Sequence, residues 1–310
     1  MSAPPDGPEL LVVGEALIDV VERAEGPPER MPGGSPANVA LALGRLGRRT
    51  RLVTVVAADD DGHRIRRWLA DSGVTVESTA PARGRTSTAR AVLDQTGAAR
   101  YEFDLSWDPV EVEPGPVDVL HVGSIASVLA PGADAVLALV RRLRRSALVT
   151  FDPNARPAIT PDHDAVLRRV ETLVELADVV KVSDEDLAWY FPGEEPGSVA
   201  LRWASHGPGL VVVTRGGDGA TVARPDGTLL QVPGVVVPVA DTIAAGDTFT
   251  AGLIDALVDR GIGGATATDT LAGLGEDAVV EAAGHAARAA GVTVSRPGAD
   301  PPWRSELPLG

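Results

Sequence analysis

Asp241-Thr242-Ile243-Ala244-Ala245-Gly246-Asp247-Thr248-Phe249 is the stretch on which the reading of this chain turns. Ahead of it runs the apolar, β-branched segment Val235 to Val239, and behind it Thr250 to Val258 has the apolar periodicity of a buried helix. The pattern predicts a strand-to-helix turn made of small residues. The first four N–H groups of a helix have no partner within it, and the macrodipole adds partial positive charge there, so such a turn is a natural seat for phosphate. Ala244, Ala245 and Gly246 let a phosphate approach the backbone. Asp247 then puts a carboxylate at the mouth of the anion site. Spacing alone leaves it either a helix cap or the base that takes a proton from a hydroxyl beside a phosphate.

Working outward, the chain alternates short apolar runs with helical patterns. Leu10 to Val13, Leu52 to Val56, Val119 to Val122, Leu148 to Phe151, Val179 to Val182 and Leu210 to Val213 read as buried parallel strands. Helical stretches lie between most of them: Pro36 to Leu46, Gly62 to Ser72, Ala133 to Arg145, Pro161 to Ala177, Asp184 to Tyr190 and Ser198 to Ser205. Thr160 before Pro161, and Ser183 before three acids, read as N-caps. This βαβ order implies a mostly parallel sheet covered on both faces.

Two segments break the alternation. Asp19 to Arg23 leads into the polar, Pro-rich Glu25 to Pro32, and Thr86 to Leu93 pairs with Arg100 to Leu105 across the turn Asp94-Gln95-Thr96-Gly97. Together they predict a small antiparallel sheet standing off the main one as a flap. A further hairpin, Ala220 to Ala223 with Thr228 to Val232, follows the last parallel strand.

Composition excludes several classes of function. Of the 310 residues, 44% are hydrophobic and 23% charged, as expected of a globular chain able to bury a large core. The formal net charge of −15 repels nucleic acid and anionic membranes, so any phosphate site must be local. With no cysteine, thiolate nucleophiles, disulfides and Cys-ligated zinc are excluded. No signal-like stretch or bilayer-length apolar run is present, and a cytoplasmic protein is the expectation. The one lysine, Lys181, lies between Val180 and Val182, so no Walker-type phosphate loop exists. The five histidines are scattered and read as structural or exposed, His121 standing at a strand end.

The remaining candidates cluster where the predicted strands end, the place where open α/β sheets bind ligands. Gly14 to Asp19 follows the first strand. Gly33-Gly34-Ser35-Pro36-Ala37-Asn38 opens a helix, its glycines allowing close backbone approach and Asn38 offering donors and acceptors to a hydroxylated ligand. Asp152-Pro153-Asn154-Ala155-Arg156 is either an Asx-tied turn or a polar group facing a ligand. Thr214-Arg215-Gly216-Gly217-Asp218-Gly219 is a phosphate-sized loop or an ordinary turn before a hairpin.

In combination these strings resemble the ribokinase-like, or phosphofructokinase-B type, family of carbohydrate kinases, from about Leu10 to about Leu307. Asp241 to Asp247 is similar to that family's D-T-x-[GA]-A-G-D motif, with Ala244 where Gly is more usual. Gly33 to Asn38 is similar to its G-G-x-x-A-N motif. The resemblance implies an α/β three-layer sandwich with a mostly parallel central sheet and a small β lid. That makes one domain over residues 1–310, with lid segments at about 19–32 and 86–108. It implies ATP and Mg²⁺ as cofactors, Asp247 as general base, and the amides of Ala244, Ala245 and Gly246 as the anion hole. By the same resemblance, Asp19, Gly33, Gly34, Asn38, Arg156 and Asp247 hold the sugar, while Ser183, Thr214, Arg215, Gly216, Gly219 and Gly246 meet the nucleotide. Asp186 stands where many members orient magnesium-bound water, although here the element reads S-x-x-D instead of N-x-x-E. The resemblance also implies a monovalent cation such as K⁺ near Asp241 and Ile243, and a homodimer through the lid edges. Acids gather in Tyr101 to Asp108, where a carboxylate-binding lid should offer bases, so the expected substrate is a neutral ketohexose, fructose first. Ribokinase, nucleoside kinase, 2-keto-3-deoxygluconate kinase and a catalytically silent sugar sensor are the competing readings.

Overall fold

The computed structural model describes residues 7–23, 26–93, 99–111 and 113–307. Its centre is a nine-stranded sheet. The strands that carry it are β1 (Glu9–Val13), β4 (Arg49–Val55), β5 (Thr75–Thr79), β8 (Val119–Gly123), β9 (Leu148–Asp152), β10 (Val179–Ser183), β11 (Leu210–Thr214), β12 (Ala220–Ala223) and β13 (Leu229–Val232). They lie in the order β13-β12-β11-β10-β9-β8-β1-β4-β5. Pairing is parallel from β5 to β11, and β12 and β13 close the far edge as an antiparallel hairpin.

The apolar runs are continuous because both faces are covered. In β1, Leu10 and Val12 point into one core while Leu11 and Val13 point into the other, and β11 repeats the alternation with Leu210 and Val212 against Val211 and Val213. The first core is shared with α1 (Ser35–Arg45), α2 (Asp60–Ala70), α7 (Ala245–Asp259), α8 (Ala267–Ala272) and α9 (Glu276–Val294); the second with α3 (Gly132–Leu143), α4 (His163–Val174), α5 (Asp184–Tyr190) and α6 (Pro196–Ala204). Helix α7 is buried along nearly all its length. A Cβ at its Gly252 would come within 2.8 Å of Ala286 Cα, so glycine is what lets α7 and α9 meet. At its far end Asp255, fully buried, is held by Arg48, Arg304 and His285, which ties the chain's last turn to α7.

A second sheet contains β2 (Leu17–Glu22), β3 (Glu29–Gly33), β6 (Thr88–Leu93) and β7 (Ala99–Asp104), in the order β3-β2-β6-β7. It is mixed, not wholly antiparallel as expected, because β2 and β6 run parallel. Ile18 and Val20 root one face in the main core, while Asp19, Met31, Ala89 and Phe103 share a row on the other. The turn Asp94 to Gly97 lies outside the described residues.

Three local expectations are corrected. Val235 to Val239 forms no strand: it is an irregular segment whose Val236 is 99% exposed, while Val235 and Val237 lie half-buried over Gly291 of α9 instead of packing in a ladder. The helix expected from Pro161 starts at His163, and its cap is Asp162, whose carboxylate accepts the Ala165 amide at 3.0 Å, in place of Thr160. Helix α2 begins at Asp60 because Asp59 accepts the Gly62 amide at 2.8 Å. The expected cap at Ser183 is present as a capping box with Asp186.

Candidate active site

Strand order reverses between β1 and β8, and the crevice there opens at the carboxyl ends of the strands. Into it come the turn after β1, the β3–α1 junction, the loops after β9, β10 and β11, and the start of α7. Asp247, in the first turn of α7, is buried. Ser35 Oγ donates to its Oδ1 at 2.7 Å and Asn38 Nδ2 to its Oδ2 at 2.8 Å. Burial pushes its carboxyl above the ordinary range, and these two donors counter the rise. Ala244, at the left-handed φ of 59°, turns the chain into α7, and the Gly246 and Ala245 amides stand at the helix start. The Ala245 amide also meets the Thr242 carbonyl at 3.3 Å.

The arm Gly33 to Asn38 meets Asp247 across more than 200 positions of sequence, which joins two of the predicted motifs in one place. Its glycines have an internal reason as well. Gly34 has φ 104°, and a Cβ there would lie 2.6 Å from the Glu15 carbonyl; one at Gly33 would overlap the Asp19 carboxylate. Asp19 is raised to about 6 by burial, and Glu15, wholly inside, to about 7 by the same cause, with Arg156 opposing both. Glu15 Oε2 accepts the Ala126 amide at 3.1 Å, so it ties the turn after β1 to the turn after β8, on either side of the reversal. Arg156 sits amid these acids, its Nη1 folded back on Asn154 Oδ1 at 2.6 Å.

On the other side of Asp247 runs a cleft of about 730 Å³. Ser183, Asp186, Thr214, Gly216 and Gly219 line it, as do Ala244, Ala245, Gly246 and Arg156. The segment misread as a strand forms its outer wall: Val235, Val236, Val237 and Val239 border the cleft, and Asp241 pins the segment's end. Asp241 Oδ1 accepts the Ile243 amide at 3.0 Å and Oδ2 the Gly298 amide at 2.9 Å, which holds its carboxyl low. Arg215 departs from the expectation. It is not among the lining residues, and its Nη2 donates to Gln231 Oε1 at 3.0 Å on the neighbouring hairpin. Asp186 accepts the Ala155 amide at 3.1 Å as well as closing its capping box, and burial raises its carboxyl.

Sequence reasoning missed the floor of the cleft. Lys181 Nζ meets Asp152 Oδ2 at 3.0 Å, both side chains buried, and Thr250 Oγ1 donates to the same oxygen at 3.2 Å. His121, beside them, is pulled down to about 3 by burial and then by the lysine, so it is neutral. The available signal was a charged residue inside the apolar run Val179 to Val182. Glu15 and Ser35 were quoted within motifs but given no role.

Residues 8–306 match the family described as pfkB family carbohydrate kinase. A fructokinase of Rhizobium leguminosarum bv. trifolii is 33% identical over 259 residues, which is 80% of this chain and 79% of the relative. Among solved structures, fructokinase from Xylella fastidiosa with bound ATP superposes with a TM-score of 0.79 at 26% identity, covering 97% of this chain and 95% of the other. A double-mutant fructokinase from Vibrio cholerae O395, bound to fructose, ADP and a potassium ion, does so with 0.76 at 27% identity, covering 94% of each. The family match takes in every strand and helix described above, from β1 to the short turn Arg304–Glu306, and the chain belongs to the pfkB family of carbohydrate kinases.

Proposed function

We propose that this chain is an ATP-dependent fructokinase, which transfers the γ-phosphoryl group to a primary hydroxyl of the sugar. One observation carries the reading: the buried carboxylate of Asp247 stands between the Gly33–Asn38 arm and the glycine-lined cleft, held by a donor from that arm on each oxygen. The sugar is placed on the arm side, against Asp19, Gly33, Gly34 and Asn38. The nucleotide is placed along Ser183, Thr214, Gly216 and Gly219, with the valines of 235–239 that border the cleft offering an apolar wall to the adenine. This assignment leaves out Arg215.

In the transfer, the hydroxyl oxygen bonds to the γ-phosphorus as the bond from phosphorus to the β,γ-bridging oxygen breaks. The electron pair of that bond leaves with ADP, and the hydroxyl proton goes to Asp247. Such a loose transition state asks mainly for alignment and for neutralised charge on the equatorial oxygens. The amides of Ala244, Ala245 and Gly246 at the α7 start serve that need.

Among the described residues no group of three or more His, Cys, Asp or Glu forms a cage for a metal ion. A nucleotide-borne Mg²⁺, which keeps most of its waters and needs only one or two carboxylates, fits this donor set. Asp186 would hold it through water, and the ion would neutralise phosphate charge. The lone pairs left on Asp241 and the Ile243 carbonyl suit a monovalent cation such as K⁺, as the potassium-bound relative suggests.

Charge supports a neutral sugar over an acidic one. The lid's Arg90 is paired with Glu22 and Glu102, and Arg100 with Glu102, on the face opposite Asp19. Arg156 is folded onto its own loop, and Glu15, Asp19 and Asp186 all feel its charge. A substrate carboxylate would have to share that one cation with three acids, which disfavours an acidic sugar. Met31, Tyr101 and Phe103 leave an exposed apolar face on the lid, Tyr101 stacked on Phe103 at 6.2 Å, and a second copy of the chain covering that face would make a homodimer. Among the described residues no helix is long and apolar enough to cross a membrane, and a cytoplasmic site of action agrees with that. Phosphorylation of fructose by ATP, measured against other sugars, tests the proposal.

A further inference from the structure

We propose that Ser35 is a positioning residue for the transfer: its hydroxyl holds the Asp247 carboxylate oriented and ready to accept the proton of the sugar hydroxyl. The inference rests on the kinase reading above and deepens it at the same site. Ser35 is the third residue of the Gly33–Asn38 arm, a place that the G-G-x-x-A-N pattern leaves open. It is the first residue of α1 and is buried. A serine at a helix start commonly turns its hydroxyl to a free amide of its own helix. Here no side chain caps α1: Gly34 turns the chain into it at φ 104°, and Pro36 has no amide to be capped. Ser35 Oγ instead donates across the fold to Asp247 Oδ1 at 2.7 Å, and among the described residues that hydroxyl has no other partner.

The bond is held at both ends. A Cβ at Gly34 would lie 2.6 Å from the Glu15 carbonyl, so the arm lies close against the turn after β1, and Asp247 sits in the buried first turn of α7. The other donor to the carboxylate, Asn38 Nδ2 on Oδ2, has a second duty. Its own Oδ1 is buried with no partner among the described residues, and a sugar hydroxyl would fill that acceptor. Sugar binding therefore draws on Asn38, while Ser35 serves the carboxylate alone. The charged groups around Asp247 make that service matter. Asp152 on β9 and Lys181 on β10 act on it in opposite directions, Arg156, Asp184, Glu185 and Asp186 line the cleft with it, and Asp19 stands on the arm side against Gly33. Burial pushes the Asp247 carboxyl up, and Ser35 is the largest influence pulling it back, ahead of Asn38 and Lys181. A neutral acid cannot take a proton, so a donor to the charged form favours the form that reacts. In the step itself Ser35 keeps its own proton: the sugar's hydroxyl proton goes to Asp247, and the electron pair of the breaking P–O bond leaves with ADP.

The test compares Ser35→Ala and Ser35→Thr with wild type, each checked to be folded. Three quantities are measured: turnover against pH at saturating ATP and fructose, the KM for fructose, and the titration of the Asp247 carboxyl carbon by NMR of protein carrying isotope-labelled aspartate. The Asp247 signal is the one that disappears in Asp247→Asn. A carboxylate is the active form, so the rate is present above the acid limb and lost below it, and removing a donor to that form moves the limb up. In Ser35→Ala the limb and the carboxyl titration should rise together by about one pH unit, as for loss of a hydrogen bond to a charged group, so that turnover on the limb falls about tenfold. The KM for fructose should stay within about threefold, because Ser35 is not assigned to the sugar. Ser35→Thr, which keeps the hydroxyl, should return both curves to those of wild type. A limb within about 0.2 pH unit of wild type in the alanine variant would overturn the proposal. So would a threonine variant displaced as far as the alanine one, or a loss confined to KM, which would make Ser35 only part of the sugar's cradle. A wild type that phosphorylates no sugar would sink the kinase reading and the proposal with it, whereas an active wild type with an unmoved alanine limb sinks the proposal alone.

Discussion

Glu15→Gln should abolish a large part of this protein's loss of stability with rising pH. The carboxyl is wholly buried between β1 and the turn after β8, with the Ala126 amide on one oxygen, and burial raises it from 4.5 to about 7. A carboxyl raised in the folded state is protonated there while the unfolded chain has already ionised. Its contribution is therefore fully present below pH 4.5 and is lost as pH rises through about 7. A rise of that size, at about 1.4 kcal/mol for each pH unit, is worth about 3 kcal/mol, most of it falling between pH 5 and 8. Against a total stability of about 5–15 kcal/mol the effect is large. Urea unfolding of wild type and variant at several pH values between 5 and 8 measures it, because the other titrations are common to both and cancel in the difference. The stability gap should move in favour of glutamine by about 2–3 kcal/mol across that range. Parallel curves would refute the reasoning, since they would place Glu15 in contact with water and leave the strand reversal without a buried acid.

Asp247→Asn should keep the fold and nucleotide affinity while turnover drops about 100-fold to 10,000-fold, as for loss of a general base; steady-state kinetics with near wild-type turnover would remove that role. Because burial raises this carboxyl, the acid limb of the wild-type rate profile should lie above the ordinary range for aspartate. Light scattering at micromolar concentration should give twice the chain mass, and Phe103→Glu, placing a charge on the exposed lid face, should give the monomer; a monomeric wild type counts against lid pairing.

The parts of the fold legible in the sequence were those where burial leaves a local trace. Four-residue apolar runs such as Leu210 to Val213 mark strands covered on both faces, and all six runs read this way lie in the parallel sheet. Strand β5 was missed because Thr75–Thr79 is an exposed edge strand with no such run. Val235 to Val239 misled for the opposite reason, since its apolar side chains border a cleft and not a core. Asp247 was legible because helix starts announce themselves through small residues and an acid. Its partners were not, because Ser35 and Asn38 reach it across the fold, and the Lys181–Asp152 pair joins neighbouring strands 29 positions apart. Arg215 was assigned by its place in a loop, and only side-chain geometry turns it toward Gln231.

The central claim is tested most directly by coupled ADP release with ATP and magnesium across fructose, ribose, 2-keto-3-deoxygluconate and a nucleoside. The account predicts the highest specificity constant for fructose. A higher value for the acidic sugar, for ribose or for the nucleoside, or no sugar-dependent ADP release at all, would contradict it.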